Sequence, residues 1–226
     1  MHSVVETIRR IARHEARQGW NTALAVVKSV HGRNGETGYA CTVELRETRI
    51  VLPRVPIATG FIGSVALPRE NDLVLVLFVG GDLHAPVVVG RLYNEEVAPP
   101  VHGPEEVVVS LPGDEEASDK VVELRVATPR GGPRNVTLTL DGQVKVEVEV
   151  KDDGVRIQAQ DVVLKLSQSG SADGTAELSA GGSSLKLSQS GDIEIDASGK
   201  LSLKAAEVEI SGDATVKVAG QTIDLN

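Results

Sequence analysis

The sequence predicts a mainly β protein in three parts: a short N-terminal helix, a small closed barrel, and a narrow intertwined β-helix wound from three copies of the chain. Three observations carry that expectation. From Gly191 on, apolar residues come in i, i+2 pairs, Ile193/Ile195, Leu201/Leu203, Val208/Ile210, Val216/Val218 and Ile223/Leu225, at steps of 8, 7, 8 and 7 residues. All five aromatic residues, Trp20, Tyr39, Phe61, Phe78 and Tyr93, precede position 94. Between Trp20 and Asn94, short strand-like runs alternate with Gly, Pro and Asn turns.

Residues 1–19 read as an amphipathic helix. Ser3 and Glu6 have the spacing of a capping box. Val4, Val5, Ile8, Ile11 and Ala12 share one side, Arg9, Arg10, Arg13 and Arg17 decorate the rest, and Gly19 marks the stop. Docking on its own domain is the favoured role, ahead of a basic handle for another protein. With arginines so soon after a few apolar residues, this start does not resemble a secretory signal. Synthesis in the cytoplasm without one is expected.

Residues 20–98 read as the barrel. TALAVVKSV, the turn around Asn34-Gly35, and YACTVEL form a hairpin. RIVLPRVPIA, interrupted by Pro53 and Pro56, suits an edge or bent strand. GFIGSVAL, DLVLVLFV and APVVVGRLY complete the set, with DLVLVLFV the most apolar and therefore central. Five or so short strands in this length fit a closed barrel of the OB type. The lone cysteine, Cys41, reads as a small core residue rather than a nucleophile.

Residues 99–140 read as a linker and early β layers with loops: EEVAPPVHGPEE is Pro-rich and acidic, and VVVSL, VVELRVA and VTLTL are strand-like between surface loops. Residues 141–226 read as the repeat proper. Its beat extends upstream through Leu178, Leu185 and Leu187, and the segment LKLSQSG at Leu164 returns 21 residues later at Leu185. With no aromatic residue, this half has only a thin column of Val, Ile, Leu and Ala for a core. One such ribbon buries too little apolar surface to offset the entropy of ordering it, and it leaves unpaired edges. A homotrimer pooling Ile193, Ile195, Leu201, Leu203, Val208, Ile210, Val216, Val218, Ile223 and Leu225 in a common core removes both problems. A single-chain β-solenoid is the alternative, although its coils run longer than this unit.

The net charge of −9 is unevenly spread. Residues 1–100 carry 11 Lys and Arg against 10 Asp and Glu, whereas residues 101–226 carry 12 against 22. The acidic half would repel a phosphate backbone, so no nucleic-acid partner is expected there. The five histidines, at 2, 14, 31, 84 and 102, have no metal-ligand spacing, and no nucleophile elbow or phosphate loop appears. No enzyme activity, metal or cofactor is expected.

The run Pro68-Arg69-Glu70-Asn71-Asp72 through LVLVLFV to Gly80-Gly81-Asp82, with Pro86, a valine run, Gly90 and Arg91-Leu92-Tyr93-Asn94 after it, resembles the OB domain of contractile-tail spike proteins. That family includes baseplate assembly protein V of phages, the spikes of extracellular contractile injection systems, and the C-terminal half of VgrG proteins. Gly80 and Gly81 suit a tight turn and Gly90 a close backbone approach. Asn71 stands where the family usually has Gly.

The resemblance implies a spike that closes the tube tip within a baseplate hub and mechanically punctures the target envelope, as part of a virion or phage tail-like particle. Some relatives end in an apex where a His-x-His pair binds iron. This chain has no histidine after His102, so a separate PAAR-type tip protein is expected on Ile223, Asp224, Leu225 and Asn226. The rival functions are a trimeric fibre or adhesin and an OB-fold oligonucleotide-binding module.

Overall fold

The computed structural model describes residues 21–32, 38–112 and 120–224, together with Glu6. The expected helix over 1–19 therefore lies, apart from Glu6, outside the described residues. The chain divides into two compact units, Met1–Pro99 and Pro100–Asn226.

The first unit is a five-stranded antiparallel sheet closed into an OB-type barrel. Its strands are β1 (Thr22–His31), β2 (Ala40–Leu45), β3 (Val51–Pro56), β4 (Leu73–Phe78) and β5 (Pro86–Leu92), in the order β3-β2-β1-β4-β5. The long β1 serves two neighbours: Thr22–Val26 pair with β4 and Ala25–His31 with β2, across a bulge between Val27 and Ser29. A parallel bridge from Ile57 to Val88, with the Ala58 N–H donating to the Val88 carbonyl at 2.8 Å, closes the sheet on itself. Closure removes the free edges that an open sheet would expose.

Alternation along the strands places Val27, Val43, Leu45, Val55, Val74, Val76, Phe78 and Val88 inside, with Cys41 among them. Burial pushes the Cys41 thiol up to about 11, so it stays protonated at neutral pH.

Two expectations about this unit are corrected. GFIGSVAL is a loop, not a strand. The Thr59 hydroxyl donates to the Phe61 carbonyl at 2.9 Å and meets the Ser64 hydroxyl at 2.7 Å, and Gly63 adopts φ +101°. These local bonds replace a ladder and turn the chain, leaving Phe61 70% and Ile62 94% exposed. Gly90 is not a point of close approach either: a Cβ there would meet open space. It sits at the bulge between Leu75 and Val76, where β4 and β5 slip register.

The turn residues behave as their chemistry requires. Asn71, Gly80 and Gly81 all take positive φ, at 73°, 66° and 78°. Gly80 has open space around it, so Gly80→Ala is expected to cost only the left-handed backbone penalty, about 1–2 kcal/mol. A denaturant midpoint unchanged in that variant would show that the turn relaxes instead.

The second unit is one antiparallel meander of nine strands, hydrogen-bonded in chain order. They are β6 (Glu106–Leu111), β7 (Val122–Ala127), β8 (Asn135–Leu140), β9 (Val146–Lys151), β10 (Gly154–Ala159), β11 (Val162–Ser167), β12 (Thr175–Ala180), β13 (Ser183–Ser188) and β14 (Ile193–Ala197). Residues 106–140 thus supply the first three strands of the same sheet.

Strands through Ala197 pair within one chain, where an interwound arrangement from 141 was expected. The reason is local. Two-residue turns at Asp152-Asp153, at Gln160-Asp161 (Gln160 φ +50°) and at Gly181-Gly182 (Gly181 φ +58°) reverse the chain, so each strand meets its predecessor. The repeated LKLSQSG shows the same logic. The Gln168 N–H donates to the Asp153 carbonyl and the Gln189 N–H to the Gly174 carbonyl, each at 2.8 Å, so each copy hooks onto the preceding loop. After Ala197 no strand is present among the described residues.

Candidate assembly face

Directly paired residues in an antiparallel sheet point to the same side, so the registers of the meander define its two faces. Across all nine strands one row reads Val109, Leu124, Leu138, Val148, Ile157, Leu164, Leu178, Leu185, Ile195. A flanking row reads Val107, Val126, Val136, Val150, Val155, Leu166, Ala176, Leu187, Ile193, and the other runs Leu111, Val122, Leu140, Val146, Ala159, Val162, Ala180, Ser183, Ala197. Ser183 is the single polar residue among these positions.

The opposite face carries the charges. Its middle row reads Val108, Arg125, Thr137, Glu149, Arg156, Lys165, Glu177, Lys186, Glu194. Alternation therefore separates one side that is apolar except at Ser183 from one solvated side.

Within the second unit no described residue covers the apolar side. Among the described residues, every fully buried hydrophobic lies between Ala25 and Val88, in the barrel. Val109, Leu124, Ile157, Leu164, Leu178 and Ile195 are all exposed. A continuous apolar patch of this extent marks an interaction surface rather than ordinary surface wear.

Ion pairs and capping bonds tie down the ends of the strands. Arg125 reaches Glu106 at 2.8 Å and Glu123 at 3.1 Å, and also donates to the Val101 carbonyl at 3.0 Å. The Gly103 N–H, and then the Arg125 guanidinium, hold the Glu106 carboxyl below the usual range. The Arg134 N–H and guanidinium do the same for Asp152, and the Ser169 hydroxyl with the Gly170 N–H for Asp173.

Depressed carboxylate pKa values stabilise the fold above the ordinary carboxylate range, and that contribution vanishes as pH falls through the lowered values. The thermal midpoint of the second unit is thus expected to start dropping below about pH 5 and to keep dropping as pH falls beneath the ordinary carboxylate range. Asp173→Asn should shrink that drop, and an undiminished drop would remove Asp173 from the account.

The structure brings Ile193 and Ile195 together with Leu185 and Leu187 on the apolar side. Leu201, Leu203, Val208, Ile210, Val216, Val218 and Ile223 lie outside any strand and are 50% to 71% exposed. Asp224 is exposed as well, and Leu225 and Asn226 fall outside the described residues. Sequence reasoning centred the core on Ile193 to Leu225, at the C-terminal end, and did not assign Val107 to Leu166 to it, although it followed the alternation upstream through Val146–Ile157 and Leu164–Leu166. Their signal was present as plain period-two alternation, at three apolar positions per strand rather than two.

The chain thus joins a closed barrel to a sheet with one apolar side. Residues 40–93, from β2 to the end of β5, match the family of type VI secretion system/phage-baseplate injector OB domains. That match supports a structural, baseplate-related role. No curated protein matches the chain. Among the described residues no helix is long and apolar enough to cross a membrane, and no three His, Cys, Asp or Glu side chains gather as a metal site.

Proposed function

We propose that three copies of this chain form the central spike at the tube tip of a contractile injection system or phage tail. The observation that carries the reading is the apolar side of the meander, unbroken over nine strands and uncovered in one chain. Three such sheets turned towards a common axis bury each other's Val, Leu and Ile and leave the charged rows facing water. At about 4.8 Å per strand, the nine strands make a stack roughly 40 Å long.

Residues 198–226 then continue as strands wound among the three chains, which gives partners to backbone groups that one chain leaves unpaired. The injector OB match to residues 40–93 supports placing the barrel against a baseplate hub. The C-terminal end, with Ile223, Asp224, Leu225 and Asn226, would seat a PAAR-type tip protein. The function is mechanical: closing the tube within the hub and transmitting the thrust that pierces the target envelope.

Sedimentation velocity of the full chain is expected to return three times the 23.8 kDa chain mass. Electron microscopy of the particle should place the protein on its axis at the tube end. A monodisperse monomer, or a peripheral location, would sink the reading.

A further inference from the structure

The barrel has an apolar outer side as well as an apolar interior. On β4 the inward residues are Val74, Val76 and Phe78, so Leu73, Leu75 and Leu77 point outward. Their partners extend the patch across two neighbours. Leu24 and Val26 of β1 pair with Leu75 and Leu73, while Val87 and Leu92 of β5 pair with Leu77 and Leu73. Leu24 and Leu77 are each 39% exposed and Leu92 41%. Opposite Leu75 stands Gly90, with no side chain and open space where one would be. The result is a shallow apolar furrow over three strands, about 10 Å wide at the usual strand spacing. That width suits a helix of about 10–12 Å diameter.

The chain itself holds a segment of matching chemistry and reach. We propose that residues 1–20 fold back as a helix onto this β1-β4-β5 surface and cover it. The chain enters the described barrel at the rim of the furrow: Thr22 pairs with Leu77, and the Asn21 carbonyl accepts the Phe78 N–H at 3.1 Å. A segment leaving Asn21 needs only the turn at Gly19-Trp20 to lie along the strands. From Ile8 to Trp20 a helix runs about 18 Å, close to the roughly 20 Å of six-residue β4. Val4, Val5, Ile8, Ile11 and Ala12 share one side at helical spacing. Glu6 is helical and exposed, as the water-facing side of that arrangement requires. In this orientation Ile8 lies near the Leu73–Leu92 end and Ile11 near Leu24.

Crosslinking of the full chain tests the placement. Ile8→Cys combined with Leu92→Cys, and separately Ile11→Cys with Leu24→Cys, are treated with a short bismaleimide. They are then read on a denaturing gel and by peptide mass. The native Cys41 is fully buried and does not compete. The expected product is a single-chain species whose peptides 1–20 and 86–92, or 1–20 and 22–32, are joined. The same treatment of Glu6→Cys with Leu92→Cys should lose that product. A two-chain band would mean that a second copy covers the furrow, and failure of both pairs to link would mean that the segment lies elsewhere. Either result overturns the proposal. Using two anchors on different strands guards against one variant that does not fold.

Discussion

Ile157→Asp is expected to abolish assembly while leaving the barrel folded. Ile157 lies on β10, the fifth of nine strands, and its partners Val148 and Leu164 are both apolar. If the proposed assembly buries Ile157, removing its side chain forfeits about 1.5–3 kcal/mol. An unpaired carboxylate then adds a desolvation penalty of several kcal/mol. In the proposed trimer, threefold symmetry would repeat both costs in each chain and bring three like charges together. Sedimentation velocity should show the proposed trimer replaced by monomer or irregular aggregate, whereas Lys165→Gln on the charged side should leave it intact. An Ile157→Asp trimer as robust as the parent would mean that this face does not lie at the shared interface.

Phe78→Ala should produce the largest loss in the barrel. Phe78 is 2% exposed and, among the described residues, is the one aromatic side chain in the buried cluster. Truncating a buried Phe costs about 3–5 kcal/mol through lost transfer energy and the cavity left behind. That is a large share of the roughly 5–15 kcal/mol that hold a domain together. Denaturant titration followed by the single tryptophan should show the shift in midpoint. A loss below about 1 kcal/mol would mean that Val74, Val76 and Val88 collapse into the space.

The two units differ in how openly the sequence displayed them. In the barrel, LVLVLF announced itself because both faces of β4 are apolar, and Asn71, Gly80 and Gly81 marked turns by their tolerance of positive φ. GFIGSVAL misled because its apolar residues resemble a strand, while the Thr59 and Ser64 hydroxyls that turn it are unremarkable in a string of letters. In the second unit the alternation of Val146, Val148 and Val150 with glutamates and lysine was plain. Pairing partners were not. Nothing in period-two spacing says whether a strand meets its own chain or another, and that choice rests on turns such as Gln160-Asp161, which have no strong turn signature.

The hooked LKLSQSG copies have a consequence for length. They fall on β11 and β13, two strands apart, and hence run in the same direction with the same side chains on each face. Excising Gln168–Ser188 would remove one full hairpin and join Ser167 to Gln189. Leu164 would then oppose Ile195 and Leu166 oppose Ile193, as Leu185 and Leu187 do now. The sheet can thus be trimmed or extended by about 10 Å at a time with polarity and sidedness preserved, a ruler graduated in hairpins.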